Sequence, residues 1–402
     1  MRPPLLFLAH RIPYPPNKGD KIRSFHLLEC LARDYRIHLG TFVDTEGDDA
    51  GADELRRLCD EVRVVRLSPR RARLRSLRGL LTGEPLTVPY YRSRLLAQWV
   101  AERVASAGIR RALVYSSGPA AYLLGRQYSG LRRVIDFVDV DSDKWAQYAR
   151  TVGWPMRAVY QREAVRLLQF EQRIAAEFDA GIFVSAAEAS LFRKLCPISA
   201  DKISYASNGV DTAYFDPALP LVDPYPPGEQ AIVFTGAMDY WPNVDAVAWF
   251  AEAILPRVRA AESRARFYVV GGNPTESVRR LAGDPGVRVT GRVADVRPYL
   301  RHAAAVVAPL RIARGIQNKV LEGMAMARPT VVTSAALEGI RARPGSEVLL
   351  GDSPQALAAQ VLAALSCTAT DMGAAARERV LADFDWDRNL GGVAALLEGP
   401  GA

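Results

Sequence analysis

Cysteine and histidine are scarce in this chain. Four cysteines (Cys30, Cys59, Cys196, Cys367) and four histidines (His10, His26, His38, His302) are scattered over 402 residues. No C-x-x-C, H-E-x-x-H or clustered Cys/His spacing occurs, so the pattern predicts free thiols and no metal site. A G-x-S-x-G elbow is missing, which removes the hydrolase nucleophile it would carry. No G-x-G-x-x-G follows a strand-like run, in "AHRIPYPPNKGD" or in "VVGGNPTES", which argues against a dinucleotide-dependent oxidoreductase. Long hydrophobic runs are also lacking: none approaches the ~20 residues of a spanning helix. The apolar part of "MRPPLLFLAHRIPYPP" extends only from Leu5 to Ala9 with no small-residue cleavage site, unlike a signal peptide. The 26 prolines and 30 glycines are dispersed, so no large disordered region is implied, and no internal repeat is found.

What is present suits two ordinary domains. Apolar residues make up 49% of the chain, enough for two cores. The formal charge of +8 favours an anionic partner: nucleotide phosphate, anionic lipid or nucleic acid. Nucleic acid is not expected, because no basic motif interleaved with aromatics is found. Strand-like runs at 4–10, 36–43, 61–67, 111–118 and 132–140 alternate with helical spacing, as in "KIRSFHLLECLARD" (21–34). Proline-rich 216–230 reads as a linker, and a second series opens at 231–238, 265–272, 287–293, 303–310 and 330–334. The alternation predicts an α/β chain of two doubly wound parallel-sheet units, with ligands beyond the carboxyl ends of the strands. The expected division is 1–212 and 213–382, with a last helix over 383–402 crossing back to the first domain.

One stretch concentrates chemistry: "RIARGIQNKVLEGMAMARPTVV", residues 311–332. A strand at 303–310 should lead through a loop into a helix at 318–327 with Val320, Leu321, Met324 and Ala325 on its apolar stripe. Helix N-termini attract phosphate. Gly315 would let the backbone approach closely, Arg311 and Lys319 would add charge, and Glu322, one turn after Lys319, could accept bonds from ribose hydroxyls. The plain alternative is a surface Lys–Glu pair at i,i+3, worth only tenths of a kcal/mol.

The stretch "LEGMAMARPTVV" resembles the nucleotide-sugar motif of family 4 glycosyltransferases, which have the GT-B fold. "SNGVDTAYF" (207–215), "IVFTGAMDYWPNVDAV" (232–247), "YVVGGNP" (268–274) and "VTGRVADVRPYL" (289–300) resemble further segments of that family. More narrowly, "RIPYPPNKGDKIRS" and "RGIQNKVLEGMA" resemble sugar transferases of exosortase-type exopolysaccharide gene clusters. The resemblance implies two Rossmann-like domains facing across a cleft. It also implies a retaining, metal-independent transfer from a nucleoside-diphosphate sugar to a lipid-linked or glycan hydroxyl, with no cofactor. Donor contacts would fall on Gly19, Gly236, Arg311, Arg314, Gly315, Ile316, Asn318, Lys319 and Glu322. Arg311, Lys319 and Asp139 would serve catalysis. Arg314 stands where the family has the first glutamate of its pair, so sugar choice does not carry over. A non-catalytic sugar-nucleotide binder and a GT-B epimerase remain alternatives.

In the first half, "PNKGDKIR" (16–23) offers Gly19, with Asp20 and Arg23 as acceptor contacts. "VIDFVDVDSDKW" (134–145) offers Asp139, and Asp141 as a further acceptor contact. "DVD" and "DSD" also fit the D-x-D of metal-dependent GT-A transferases, but that fold leaves the second α/β unit unexplained. Finally, "RLSPRRARLRSLRGLLTG" (66–83) has six arginines with Leu74, Leu77 and Leu81 at helical spacing. It reads as a basic amphipathic helix suited to an anionic membrane surface, which fits a cytoplasmic enzyme on the inner face of a membrane.

Overall fold

The computed structural model describes residues 2–16, 19–44, 51–313, 315–366 and 370–399. The chain divides into two compact units, Met1–Ser207 with Leu390–Ala402, and Asn208–Asn389.

The first unit is built on seven strands: β1 (Pro4–Ala9), β2 (Arg36–Val43), β3 (Glu61–Arg66), β4 (Arg111–Tyr115), β5 (Arg132–Val138), β6 (Ala180–Phe183) and β7 (Ile203–Tyr205). Their order is β3-β2-β1-β4-β5-β6-β7, and every pairing is parallel. A parallel sheet is covered by helices on both faces, so its strands are continuous apolar runs. Leu5 to Ala9 are all fully buried for that reason. The apolar runs at 111–118 and 132–140 stop being strand early, at Tyr115 and Val138, and β6 and β7 are strands that the sequence analysis did not identify. The helix Trp386–Glu398 ends on this unit. Glu398 accepts from Tyr35 Oη at 2.6 Å and pairs with Arg111, and Arg132 Nε donates to Leu396 O at 2.8 Å.

The second unit has six strands: β8 (Gln230–Thr235), β9 (Ala265–Val270), β10 (Val287–Gly291), β11 (Ala305–Ala308), β12 (Thr330–Val332) and β13 (Leu349–Leu350). The order is β10-β9-β8-β11-β12-β13, again parallel throughout. The proline-rich stretch before β8 is packed onto this unit. Phe215, Leu221 and Tyr225 lie against the core of Ala231, Val233, Tyr268, Leu300 and Met326. Tyr225 Oη donates to Tyr299 O at 2.6 Å, and His302 Nε2 is 2.7 Å from Leu221 O. His302 is thus structural. Among the described residues no helix is long and apolar enough to cross a membrane.

Candidate active site

In each sheet the strand order reverses beside its first strand, between β8 and β11 in the second unit and between β1 and β4 in the first. Connections leaving such a pair go to opposite faces and open a crevice at the carboxyl edge.

In the second unit that edge is shaped by close backbone contact. Gly236 (φ 155°) follows β8 and Gly271 (φ 156°) follows β9. A Cβ on Gly271 would fall 1.7 Å from Gly236 O, so only glycine permits the crossing. Asn243 Nδ2 donates to Ala237 O at 2.9 Å and would lie 2.7 Å from a Cβ on Gly236. The buried Asn243 Oδ1 has no partner among the described residues.

After β11 the chain turns through Gly315 at φ 63°, and Ile316 is buried. Gln317 Nε2 bonds back to Gly315 O at 3.2 Å, and the helix Asn318–Ala325 begins without a side-chain cap. Its first N–H groups therefore point their dipoles at the edge without a capping bond from the Gln317 side chain. Asn318 Oδ1 accepts from Asn208 Nδ2 at 3.2 Å. Lys319 lies under the β8 exit: its Nζ is 5.3 Å from the Phe234 ring centroid, and its Cε would be 3.6 Å from a Cβ on Gly236. Arg311 is turned elsewhere. Its Nε donates to Asp245 Oδ2 at 3.0 Å, its Nη2 meets the other oxygen, and its guanidinium is 5.3 Å from the Trp249 ring. Arg314 lies outside the described residues.

Lys319 and Glu322 are half-buried and face one another electrostatically. Burial lowers the Lys319 ammonium to about 8, against the pull of Glu322. Burial likewise raises Glu322 to about 7, against the pull of Lys319. The pair differs from the plain surface pair in that both side chains are half-buried and give up part of their hydration. The pair has a stability signature. Between about pH 4.5 and 7 the folded chain holds the Glu322 proton that the unfolded chain has lost, so stability falls as pH rises. Between about 8 and 10.5 the unfolded chain holds the Lys319 proton that the folded chain has lost, so stability rises with pH. We expect this pair's contribution to be smallest between about pH 7 and 8. Melting curves of the wild type against Lys319→Met/Glu322→Gln check it: a difference independent of pH would reject the assignment.

In the first unit, Gly19 opens the helix Gly19–Ala32 in open space. Asp20 next to it is a network centre rather than a helix cap. Arg11 Nη1 donates to Asp20 Oδ2 at 2.7 Å, His10 Nε2 is 3.4 Å from the same oxygen, and Lys21 N donates to Oδ1 at 3.0 Å. Burial alone would raise the Asp20 carboxyl, but His10, Arg11 and the Lys21 N–H hold it well below the usual range. Arg23 is placed differently from the acceptor role expected of it. It is 1% exposed, and its Nε donates to the fully buried Asp136 at 2.8 Å. In this position it braces the sheet and does not face solvent.

Ser116 and Val138, where β4 and β5 end, both take φ 70°, which is costly for non-glycine residues and most of all for valine. Asp136 holds the second of them in place: its Oδ1 accepts from Val138 N at 2.9 Å, and its carbonyl accepts from Ser116 N at 2.8 Å. Beyond lie Asp139 and Asp141, which share Lys144 Nζ at 3.3 and 3.0 Å. Asp139 Oδ1 is buried and has no partner among the described residues. Two buried carboxylates support this loop from below. Glu188 accepts from Val140 N at 2.7 Å, and Glu171 from Ser142 Oγ at 2.5 Å, with burial pushing Glu171 up to about 8.

Residues 229–367 match the family model described as glycosyl transferases group 1. Most of the second unit thus matches a group 1 glycosyltransferase domain. Solved structures agree on the fold over nearly its whole length. Sucrose-phosphate synthase from Thermosynechococcus elongatus is 17% identical, with a TM-score of 0.69, covering 99% of this chain and 98% of its own. WaaG, a glycosyltransferase involved in lipopolysaccharide biosynthesis, is 14% identical at TM-score 0.68, covering 98% and 100%. Anabaena Alr3699/HepE, solved in complex with UDP, is 16% identical at TM-score 0.65, covering 99% and 100%. No curated protein sequence matches the chain. The chain thus has the GT-B architecture of two Rossmann-like parallel-sheet units. Phe234, Asn243, Asp245 and Trp249 complete the surroundings of its Lys319 and Arg311. Sequence reasoning noted Asn243 in "GAMDYWPN" but passed over Phe234, Asp245 and Trp249, because each is an unremarkable residue until β8 and the helix after it are laid beside β11.

Proposed function

We propose that this chain is a glycosyltransferase, which moves a sugar, with retention, from a nucleoside-diphosphate sugar to a hydroxyl of a lipid-linked or growing glycan. The setting inferred from the motif resemblance is bacterial exopolysaccharide or cell-surface polysaccharide synthesis, at the cytoplasmic face of a membrane. The observation that carries the reading is the half-buried Lys319 under the Gly236 exit, beside an uncapped helix N-terminus at the switch point of the second sheet. Structures of the similar Anabaena protein with UDP and with UDP-glucose support the donor class.

In this reading the diphosphate sits on the first turn of the helix Asn318–Ala325. Bond cleavage leaves negative charge on it, and fixed dipoles with Lys319 stabilise that charge more than they stabilise the intact donor. Asp245 holds Arg311 until phosphate competes for the guanidinium. Glu322 accepts from the ribose. On the acceptor side, Asp139 has a lone buried oxygen for a hydroxyl, while Asp20 and Asp141 order the charged surroundings. The leaving phosphate takes up the acceptor proton, so no separate base is needed. No cofactor is invoked, since Lys144 supplies a cation to Asp139 and Asp141 where a D-x-D site would hold a metal ion.

Melting in the presence of UDP, GDP, ADP and CMP tests the reading, because a ligand of the folded state raises the transition, by about 2.7 kcal/mol at a hundredfold excess over Kd. At least one nucleoside diphosphate should do so, and transfer from its sugar should survive EDTA. No shift with any nucleotide would overturn the proposal, and activity lost to EDTA and restored by Mn²⁺ would overturn the metal-free mechanism. Glu322→Gln should weaken nucleotide binding by about 1–3 kcal/mol; unchanged affinity in a titration would remove it from the ribose.

A further inference from the structure

Residues 66–83 contain six arginines and no acidic residue. The structure folds them as two short helices, Pro69–Ser76 and Arg78–Thr82, instead of the single helix the spacing predicts. Gly83 at φ 78° ends the second. Leu67, Ala72, Ser76 and Gly79 form the inward side and are buried. The hairpin is tied down from both sides. Arg75 donates through Nε to Pro89 O and through Nη2 to Tyr90 O, each at 2.6 Å, and Arg162 donates to Gly79 O and Glu84 O. It is therefore a fixed feature of the first unit.

The outward side is unusual for a water-facing surface. Leu74, Leu77, Leu80 and Leu81 are 69%, 53%, 45% and 92% exposed. Arg70, Arg71, Arg73 and Arg78 are exposed among them. Scattered exposed leucines need no explanation, but four within eight residues form a patch, and patches mark interaction sites. Arg162 belongs to the helix Met156–Glu177, and that helix also presents apolar groups at its start: Trp154 is 86% exposed and Met156 44%, with Arg157 exposed beside them.

We propose that this hairpin is a docking surface for an anionic phospholipid bilayer, with its leucines entering the headgroup boundary and its arginines meeting lipid phosphates. Charge complementarity decides the occupant. The surface is cationic, the bordering acid Glu84 is paired with Arg92 at 2.6 Å, and the residues between the arginines are largely aliphatic, suited to acyl chains and not to stacking on bases. The hairpin also adjoins the candidate acceptor edge. Arg75 holds the backbone at Tyr90, and the next residue, Tyr91, meets the His10 ring at the end of β1, 5.8 Å between centroids. A docked chain would thus offer that edge to a lipid-borne acceptor. This last consequence rests on the sugar-transfer reading; the docking does not.

The test is sedimentation of the full chain with vesicles of phosphatidylcholine alone or mixed with an equal part of phosphatidylglycerol. We expect binding to the mixed vesicles only, weakened by salt. Leu77→Asp/Leu81→Asp and Arg70→Glu/Arg71→Glu should each cut partitioning about tenfold or more, with melting and the nucleotide-induced shift unchanged. Equal binding to both vesicles, unchanged binding in both variants, or preferential capture of an oligonucleotide through the same arginines would overturn the proposal. A fall in melting temperature on Leu81→Asp would do so too, since the argument needs that side chain to touch nothing. A chain that binds vesicles but no nucleotide would keep the docking surface and discard the transferase reading.

Discussion

Replacing Lys319 by methionine is expected to slow sugar transfer about 10²–10³-fold, the usual cost of losing one group that stabilises charge in a transition state. The same change should leave the unliganded protein as stable as before, or more so. The two effects share a cause. The ammonium is half-buried above the Phe234 ring, with Glu322 as its charged neighbour, and burial has already lowered its proton affinity. Keeping it charged costs the empty site, and an arriving diphosphate recovers that cost. Methionine fills similar space without a charge, and Glu322, deprived of the cation, protonates more readily. Lys319→Arg should not rescue, because a planar guanidinium needs more room than the crossing at Gly236 leaves. Steady-state transfer assays and melting curves on the same preparations check both halves. Wild-type turnover in Lys319→Met would take this residue out of the mechanism.

Arg23→Met is expected to act in the opposite way, costing about 3–5 kcal/mol of stability in the first unit. Asp136 is fully buried and burial pushes its carboxyl up, with Arg23 as the main opposing charge. Removing the arginine strands a carboxylate that also anchors Val138 and borders Tyr115, whose buried hydroxyl has no partner among the described residues. For a unit of this size the transition should fall by roughly 10 °C. Arg23→Met/Asp136→Asn should recover much of the loss, since the amide oxygen still accepts from Val138 N and no charge is left behind. Nucleotide binding by the second unit should persist below the lowered transition. If Arg23→Met melts like the wild type and raises only the acceptor KM, the residue is an acceptor contact after all, and the buried pair is the wrong description.

These two residues also mark what could and could not be learned from the chain alone. The strands of a parallel sheet are apolar runs between turn residues, so β1 to β5 and β8 to β12 announce themselves. β13 has two residues, too few to carry a pattern, and β6 and β7, though no shorter than β11 and β12, went unread. Gly315, Lys319 and Glu322 belong to one loop and one helix, and their neighbourhood follows from the 3.6-residue repeat. Arg23 and Asp136 are 113 positions apart, and only the register that sets β5 two strands from β1 brings them together. Asp245, which captures Arg311, is hidden by the same kind of separation, 66 positions. The basic segment is the intermediate case: its composition was plain, but the break at Leu77 and the outward direction of the leucines depend on Arg75 and Arg162 finding carbonyls elsewhere.

The wrapping of 208–229 around the second unit bears on how the protein is to be dissected. An expression fragment cut at the limits of the recognised domain, 229 and 367, would strip Phe215, Leu221 and Tyr225 from the sheet they cover, and remove Trp386, whose ring lies against Gly209. Such a fragment should be sticky and poorly folded whatever its catalytic residues. One that starts at Asn208 and runs through Asn389 keeps the wrapping intact, and is the piece to label for spectroscopy.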